Sequence, residues 1–238
     1  MTTKKITFLL VFLSFFFSGF AQKIDKQAKK GEKTYYVKIE TSYGDMVVKL
    51  YNETPKHRDN FIKLVEDGTY EDLLFHRVIN KFMIQGGDPN SRTAKPGQML
   101  GDGDMGYTIP AEFVPGLYHK KGALAAARQG DDVNPQKASS ACQFYLVQGD
   151  VWSAEKMQMV ERRMGKSFTP EQAETYATIG GTPFLDGDYT VFGEVVEGIE
   201  VIDKIAEVKC GPMDRPVEDV KMKMSVLKKY KEPKGTKE

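Results

Sequence analysis

Short segments of alternating character constrain this chain more than any other feature. Val220, Met222, Met224 and Val226 alternate strictly with Lys221, Lys223 and Ser225, the period of a half-exposed strand. Tyr35 to Thr41 and Asp45 to Tyr51 alternate likewise on either side of the turn Ser42-Tyr43-Gly44. Leu73 to Ile79, Phe82 to Gly86, Gly122 to Ala127, Gln143 to Gln148 and Thr190 to Val196 are further strand segments. Helical spacing interrupts this pattern near opposite ends. Thr54-Pro55 opens one helix, with threonine as N-cap and proline in the first position, and Gly68 closes it. Phe61, Leu64 and Val65 share its apolar face, as Val201, Ile202 and Ile205 do in a second helix over Ile199 to Val208. Many short strands, regular turns and two helices predict a mainly β fold, a closed antiparallel barrel capped by the two helices. Pro89 to Gly106, rich in Gly, Pro, Ser and Asp, is expected to be a mobile loop, and Ser139-Ser140 to lie in another.

Asp150 to Gly181 does not fit a minimal barrel. Glu, Lys, Met, Arg, Gln and Ala dominate it, and Thr169-Pro170 with Gln172 carries the signature of a capping box. The segment reads as a helical insertion between two strands, over about residues 150–181. A stabilising cap on the barrel is one role for it. A lid or partner surface is the other, because the segment leads directly into Phe184-Leu185.

The N-terminus reads as a separate object. Lys4 and Lys5 precede an uncharged run from Ile6 to Phe20, about fifteen residues and short for a membrane span. Gly19 and Ala21 place small residues at −3 and −1. The expectation is a signal peptide over residues 1–21, cleaved after Ala21, with a retained signal anchor as the alternative. Cleavage would leave 238 − 21 = 217 residues in an exported setting, periplasmic or secreted, without a stable membrane span. A lysine-rich flexible linker (22–33) and a charged tail (231–238) would flank the domain at 34–230. Cys142 and Cys210 are the two cysteines, read as buried or half-buried free thiols, with a disulfide as the alternative. A formal net charge of +1 gives no pull toward nucleic acid or an anionic membrane.

Residues Phe75 to Asp88 read F-H-R-V-I-N-K-F-M-I-Q-G-G-D. One arginine, Arg77, sits in an apolar and aromatic run, with Gln85 and two glycines after it. The run holds no nucleophile and no metal-ligand cluster. Asp102-Gly103-Asp104 lacks the alternating ligands of a calcium loop, and Asp186-Gly187-Asp188 reads as a turn. His76 is read as structural, His57 and His119 as surface or capping residues. Such a site suits chemistry that breaks no bond, as rotation about an X-Pro peptide does. The barrier there is amide resonance, about 18–20 kcal/mol.

Four blocks carry a family resemblance: Asn60-Phe61, Phe75 to Asp88, Gly122 to Gln148, and Phe184 to Gly198. With them the chain, from about Tyr35 to Tyr230, resembles a cyclophilin-type peptidyl-prolyl isomerase of the exported bacterial branch. The resemblance implies a closed eight-stranded barrel and isomerisation of X-Pro bonds in exported proteins, with unfolded or partly folded proline-containing chains as partners and no cofactor or metal. It implies that Arg77 is the catalytic arginine, that Phe82 and Met83 floor the proline pocket, and that Gln85 grips the substrate backbone. Ala127 and Arg128 match the edge that pairs with substrate, and Gln143 a second polar contact. Tyr145 lies where a pocket phenylalanine is usual. Phe184 and Leu185 match the rim, and Tyr189 lies where histidine is common elsewhere. Phe184 in place of tryptophan, and Arg128 in place of asparagine, resemble bacterial members, and the former implies weak cyclosporin binding. Gly97 and Gly101 are both candidates for the pocket glycine. A non-catalytic proline-peptide-binding chaperone or scaffold is the rival reading; retention of Arg77 argues against it.

Overall fold

The computed structural model describes residues 33–232. The expected signal peptide, most of the linker and most of the charged tail lie outside the described residues. Eight strands close an antiparallel barrel: β1 (Tyr35–Thr41), β2 (Gly44–Leu50), β3 (Leu73–Ile79), β4 (Met83–Gly86), β6 (Ala123–Ala126), β8 (Phe144–Val147), β9 (Val191–Glu197) and β10 (Lys221–Val226). Their order around the wall is β1-β10-β3-β4-β8-β6-β9-β2. Two further strands, β5 (Thr108–Ile109) and β7 (Ser139–Ser140), pair outside the barrel. The two serines expected in a loop are thus an edge of sheet.

Helices α1 (Pro55–Glu66) and α4 (Glu200–Ala206) are the two expected helices, and their apolar faces join the barrel core. Thr54 stands at the N-cap of α1, yet its hydroxyl makes no cap. The free amides of Lys56 and His57 instead donate to the Glu112 carboxylate, at 3.1 and 3.0 Å. Tertiary structure has replaced the local cap, which no reading of neighbouring residues can anticipate.

The insertion folds as two helices, α2 (Ala154–Met164) and α3 (Pro170–Thr178). Gly165, at φ +63°, ends the first, and the expected Thr169–Gln172 capping box starts the second. Gly181 bridges to both Lys120 and Asp150, drawing the two ends of the segment together. Its φ is +151°, and a β-carbon there would collide with the His119 carbonyl oxygen, so only glycine fits. Among the described residues no helix is long and apolar enough to cross a membrane.

Alternation divides the wall into two apolar layers. Ile84, Leu124, Phe144 and Leu146 point inward with Ile39, Val48, Leu73 and Met222. Their strand neighbours Met83, Ala123, Ala125, Tyr145 and Val147 point outward into a second cluster. Phe144 centres the inner layer: its ring meets Phe61 and Tyr70 edge-on at 5.7 Å and Phe75 at 6.1 Å. Truncation would leave a cavity bounded by stiff rings. Phe144→Ala is expected to cost about 3–5 kcal/mol of unfolding free energy. Chemical denaturation measures it, and a loss under about 1 kcal/mol would contradict this packing.

His76 is 3% exposed, and among the described residues neither ring nitrogen has a hydrogen-bond partner. Burial pushes its pKa down to about 4, the Asp88 charge opposing weakly. A histidine in an unfolded chain takes up its proton near pH 6.5. The folded ring stays neutral until about pH 4. Between those values protons favour the unfolded chain, so this contribution is complete above about pH 6.5 and lost as pH falls through about 4. His57, also lowered mainly by burial, titrates in the same direction. His76→Phe should therefore flatten, without abolishing, the fall of melting temperature over this window. Equal slopes for variant and wild type would refute the assignment.

Candidate active site

The site begins at an irregularity. Phe75 pairs with Gly86 but Arg77 pairs with Gln85, so β3 carries one extra residue against β4. Phe75 and Val78 both belong to the inner core. The bulge therefore turns Arg77 outward, onto the face that carries Gln85, where strict alternation from Phe75 would bury it. The Arg77 side chain is 42% exposed. Its Nη1 donates to Gln85 Oε1 at 3.4 Å, and its Nε lies 3.5 Å from Asp214 Oδ2. Both ionic partners are half exposed, so the pair contributes at most about 1 kcal/mol and leaves the guanidinium free to serve a ligand.

A row of amides continues from there. Gln85 Nε2 donates to Gln143 Oε1 at 3.1 Å, and Gln143 Nε2 donates to the carbonyls of Gly101 and Gly103 at 2.7 and 2.8 Å. Gln143 is 7% exposed, so it orients Gln85 and holds the loop. The Asp88 carboxylate adds bonds from the amides of Asn90 and Gly101, and the Arg215 guanidinium donates to the Gln98 carbonyl. The Pro89–Gly106 segment, expected to be mobile from composition, is tied down at these points. Gly101, and not Gly97, lines a cleft of about 850 Å³ with Gln85, Asp104, Tyr107, Arg128 and Gln143.

Beside this row lies the outer apolar cluster. Phe82, Ala127, Leu185 and Tyr189 pack against Met83, Ala125, Tyr145 and Val191. Phe184 is 41% exposed at its rim, 5.7 Å from the Phe82 ring. The residues singled out in the sequence therefore converge on one outer face of the barrel. Two do less than expected there. Arg128 donates to the Asp188 carbonyl at 2.7 Å and lies over the Tyr189 ring at 4.5 Å, its side chain 4% exposed. Ala127 donates its amide to the Gln143 carbonyl, and its own carbonyl accepts from Ser140.

Other members of the site escaped the sequence reading. His57 and His119, expected as surface or capping residues, are both buried. His57 bonds Glu112 and Ser139 at 2.7 and 2.9 Å. His119 Nε2 lies 3.0 Å from the Tyr145 hydroxyl, and its Nδ1 lies 2.8 Å from Asp186 Oδ1. Tyr176 of α3 donates to Asp186 Oδ2 at 2.6 Å. A largely buried polar chain thus runs from Tyr145, through the residue that follows Leu185, into the insertion. Its only local signal is Asp186 beside the rim, inside a stretch that reads as a turn. Asp214, the ion partner of Arg77, has φ +58° and gave no signal at all. Cys142 and Cys210 are free, and burial pushes the Cys142 thiol up to about 11, unsuited to nucleophilic work.

Comparison with known proteins gives the family and the fold. Residues 36–226 match the family model described as cyclophilin type peptidyl-prolyl cis-trans isomerase/CLD. A peptidyl-prolyl cis-trans isomerase of Staphylococcus aureus (strain USA300) is 35% identical over 200 residues, covering 83% of this chain and 93% of that protein. A bifunctional phosphatase/peptidyl-prolyl cis-trans isomerase of Streptococcus pyogenes is 37% identical over 202 residues, but this chain spans only 39% of it. The crystal structure of a Cryptosporidium parvum cyclophilin type isomerase superposes with a TM-score of 0.60 at 24% identity, covering 83% of this chain and all of that one. A second structure of that protein, in the presence of the dipeptide Ala-Pro, gives 0.58 at the same identity. A matched barrel, a family model over residues 36–226 and relatives along most of the length lead to one conclusion: this chain belongs to the cyclophilin-type peptidyl-prolyl cis-trans isomerase family.

Proposed function

We propose that Arg77 is the group that accelerates prolyl isomerisation here, and that the outer apolar cluster holds the substrate ring. The observation that carries this is the pairing of Arg77 with Gln85 across the bulge, at the border of that cluster. In the planar amide the prolyl nitrogen shares its lone pair and accepts poorly. As the bond twists, the nitrogen pyramidalises and becomes an acceptor. A guanidinium donor then binds the twisted state better than either planar one, the condition for rate acceleration. One charged hydrogen bond supplies roughly 1.5–3 kcal/mol, about ten- to a hundredfold in rate.

Phe82, Met83, Tyr145 and Leu185 wall the ring. Gln85, oriented by Gln143, grips the flanking backbone, and Arg128 lines the cleft next to it. Because Ala127's backbone groups are already paired within the protein and the Arg128 guanidinium is committed to Asp188 and Asp131, the substrate's main chain is met by Gln85.

The setting is exported, as in the bacterial branch, with proline-containing segments of unfolded or partly folded secreted proteins as clients. Lys4-Lys5, the apolar run to Phe20 and the small residues Gly19 and Ala21 support this reading. Expressed with its own N-terminus in a bacterial host, the chain should be recovered outside the cytoplasm starting at Gln22. Intact mass would reveal this, and an uncleaved cytoplasmic product would count against it.

Arg77→Ala should retain the wild-type melting temperature and lose about ten- to a hundredfold in kcat/KM on a prolyl tetrapeptide. Arg77→Lys should remain poor, because an ammonium lacks the planar fork. Near-normal turnover by folded Arg77→Ala would remove Arg77 from the mechanism.

A further inference from the structure

The insertion delivers an aromatic side chain to the rim of the pocket. Trp152 lies between β8 and α2, and its ring stands 6.1 Å from Phe184, which in turn stands 5.7 Å from Phe82. The three rings form a row that leaves the pocket on a side that does not line the Gln85–Gln143 cleft. Phe184 is 41% exposed and Trp152 is half-buried, so the row presents part of its apolar surface to solvent.

Trp152 is held firmly in that place. Its indole Nε1 donates to the Gly181 carbonyl at 2.9 Å, and its backbone amide donates to the Tyr176 carbonyl at 3.0 Å. With the N–H satisfied, what remains of the indole is a rigid apolar plate. Behind it, α2 packs on the Pro183–Leu185 turn that carries Phe184. Tyr176 is fully buried with its hydroxyl on Asp186, and the Tyr118 hydroxyl lies 2.9 Å from Thr175 Oγ1. The insertion is bolted to the wall of the proline pocket at both of its helices, so the indole is presented in a fixed position rather than on a swinging lid.

We infer that Trp152 and Phe184 form a second aromatic subsite, continuous with the proline pocket, that selects substrates carrying a large apolar or aromatic residue next to the proline. Trp152 is then a specificity-determining residue, and the insertion is part of the substrate site. The inference rests on the proline pocket proposed above. Stacking of one substrate ring on such a plate is sufficient for about a two- to tenfold preference.

The test is a set of prolyl peptides in which each flank of the proline is varied in turn through Gly, Ala, Leu and Phe. Wild type should prefer Phe over Gly on one flank by about fivefold in kcat/KM. Trp152→Ala should shrink that ratio to below about twofold, and Trp152→Phe should keep most of it. A uniform fall across the series in Trp152→Ala, with the ratio preserved, would mean a structural role only and overturn the subsite. So would a flat profile in wild type. A measurement on wild type needs no variant to fold: Trp152 is the only tryptophan, so its emission reports this position directly. Saturation with the Phe-flanked peptide should shift or quench that emission, and the Gly-flanked peptide should leave it largely unaltered. Identical emission with both would also overturn the subsite. Absence of turnover on every peptide would fall instead on the Arg77 mechanism, and the emission measurement would still decide the subsite.

Discussion

The polar contacts of the active face start from the register shift between Phe75 and Arg77. A strand in a closed barrel has an inner and an outer side, and its residues alternate between them. Phe75 fills the inner core, so strict alternation would drive Arg77 inward as well, where an unpaired guanidinium is prohibitively costly. One extra residue resolves the conflict. Phe75 and Val78 stay inside, and Arg77 emerges opposite Gln85. From that point the hydrogen bonds pass through Gln85 and Gln143 to the carbonyls of Gly101 and Gly103. The position of a loop distant in sequence is thereby tied to a bulge in β3.

The two apolar layers of the wall divide the labour. The inner one, built around Phe144, Phe61 and Tyr70, stabilises the fold. The outer one, with Met83 and Tyr145 buried and Leu185 partly buried against them, is a smaller cluster on the other side of the same strands. Phe144 and Tyr145 are neighbours with opposite tasks. Backbone pairing holds both, so the outer cluster inherits the rigidity of the barrel without being part of its inner core.

Much of this was legible in the residues. The alternation in Lys221–Val226, the hairpin around Ser42-Tyr43-Gly44 and the apolar face of α1 gave the barrel and its first helix nearly to the residue. The Phe75–Asp88 run and its partner blocks held residues of both layers: Phe61 and Phe75 lie in the inner core, while Phe82, Met83, Tyr145 and Leu185 share the outer cluster. What escaped was non-local. Glu112 caps α1 from 55 residues away in sequence, with His57 beneath it. His119 and Asp186 are 67 residues apart and meet only after the barrel closes. Composition also misled: glycine, serine and aspartate between Pro89 and Gly106 suggested looseness, while Asp88 and Gln143 pin that segment.

The Asp186 carboxylate is shared between two histories of the chain. One oxygen serves His119, which belongs to the barrel; the other serves Tyr176, which belongs to the insertion. Excising α2 and α3 would strip one oxygen of its donor at a half-buried carboxylate, and would uncover the Pro183–Leu185 turn on which α2 packs. The segment is therefore no detachable accessory. A trimmed version of this enzyme would need a new donor for that oxygen, from water or a replacement side chain, to keep the Asp186–His119 pair as it stands here.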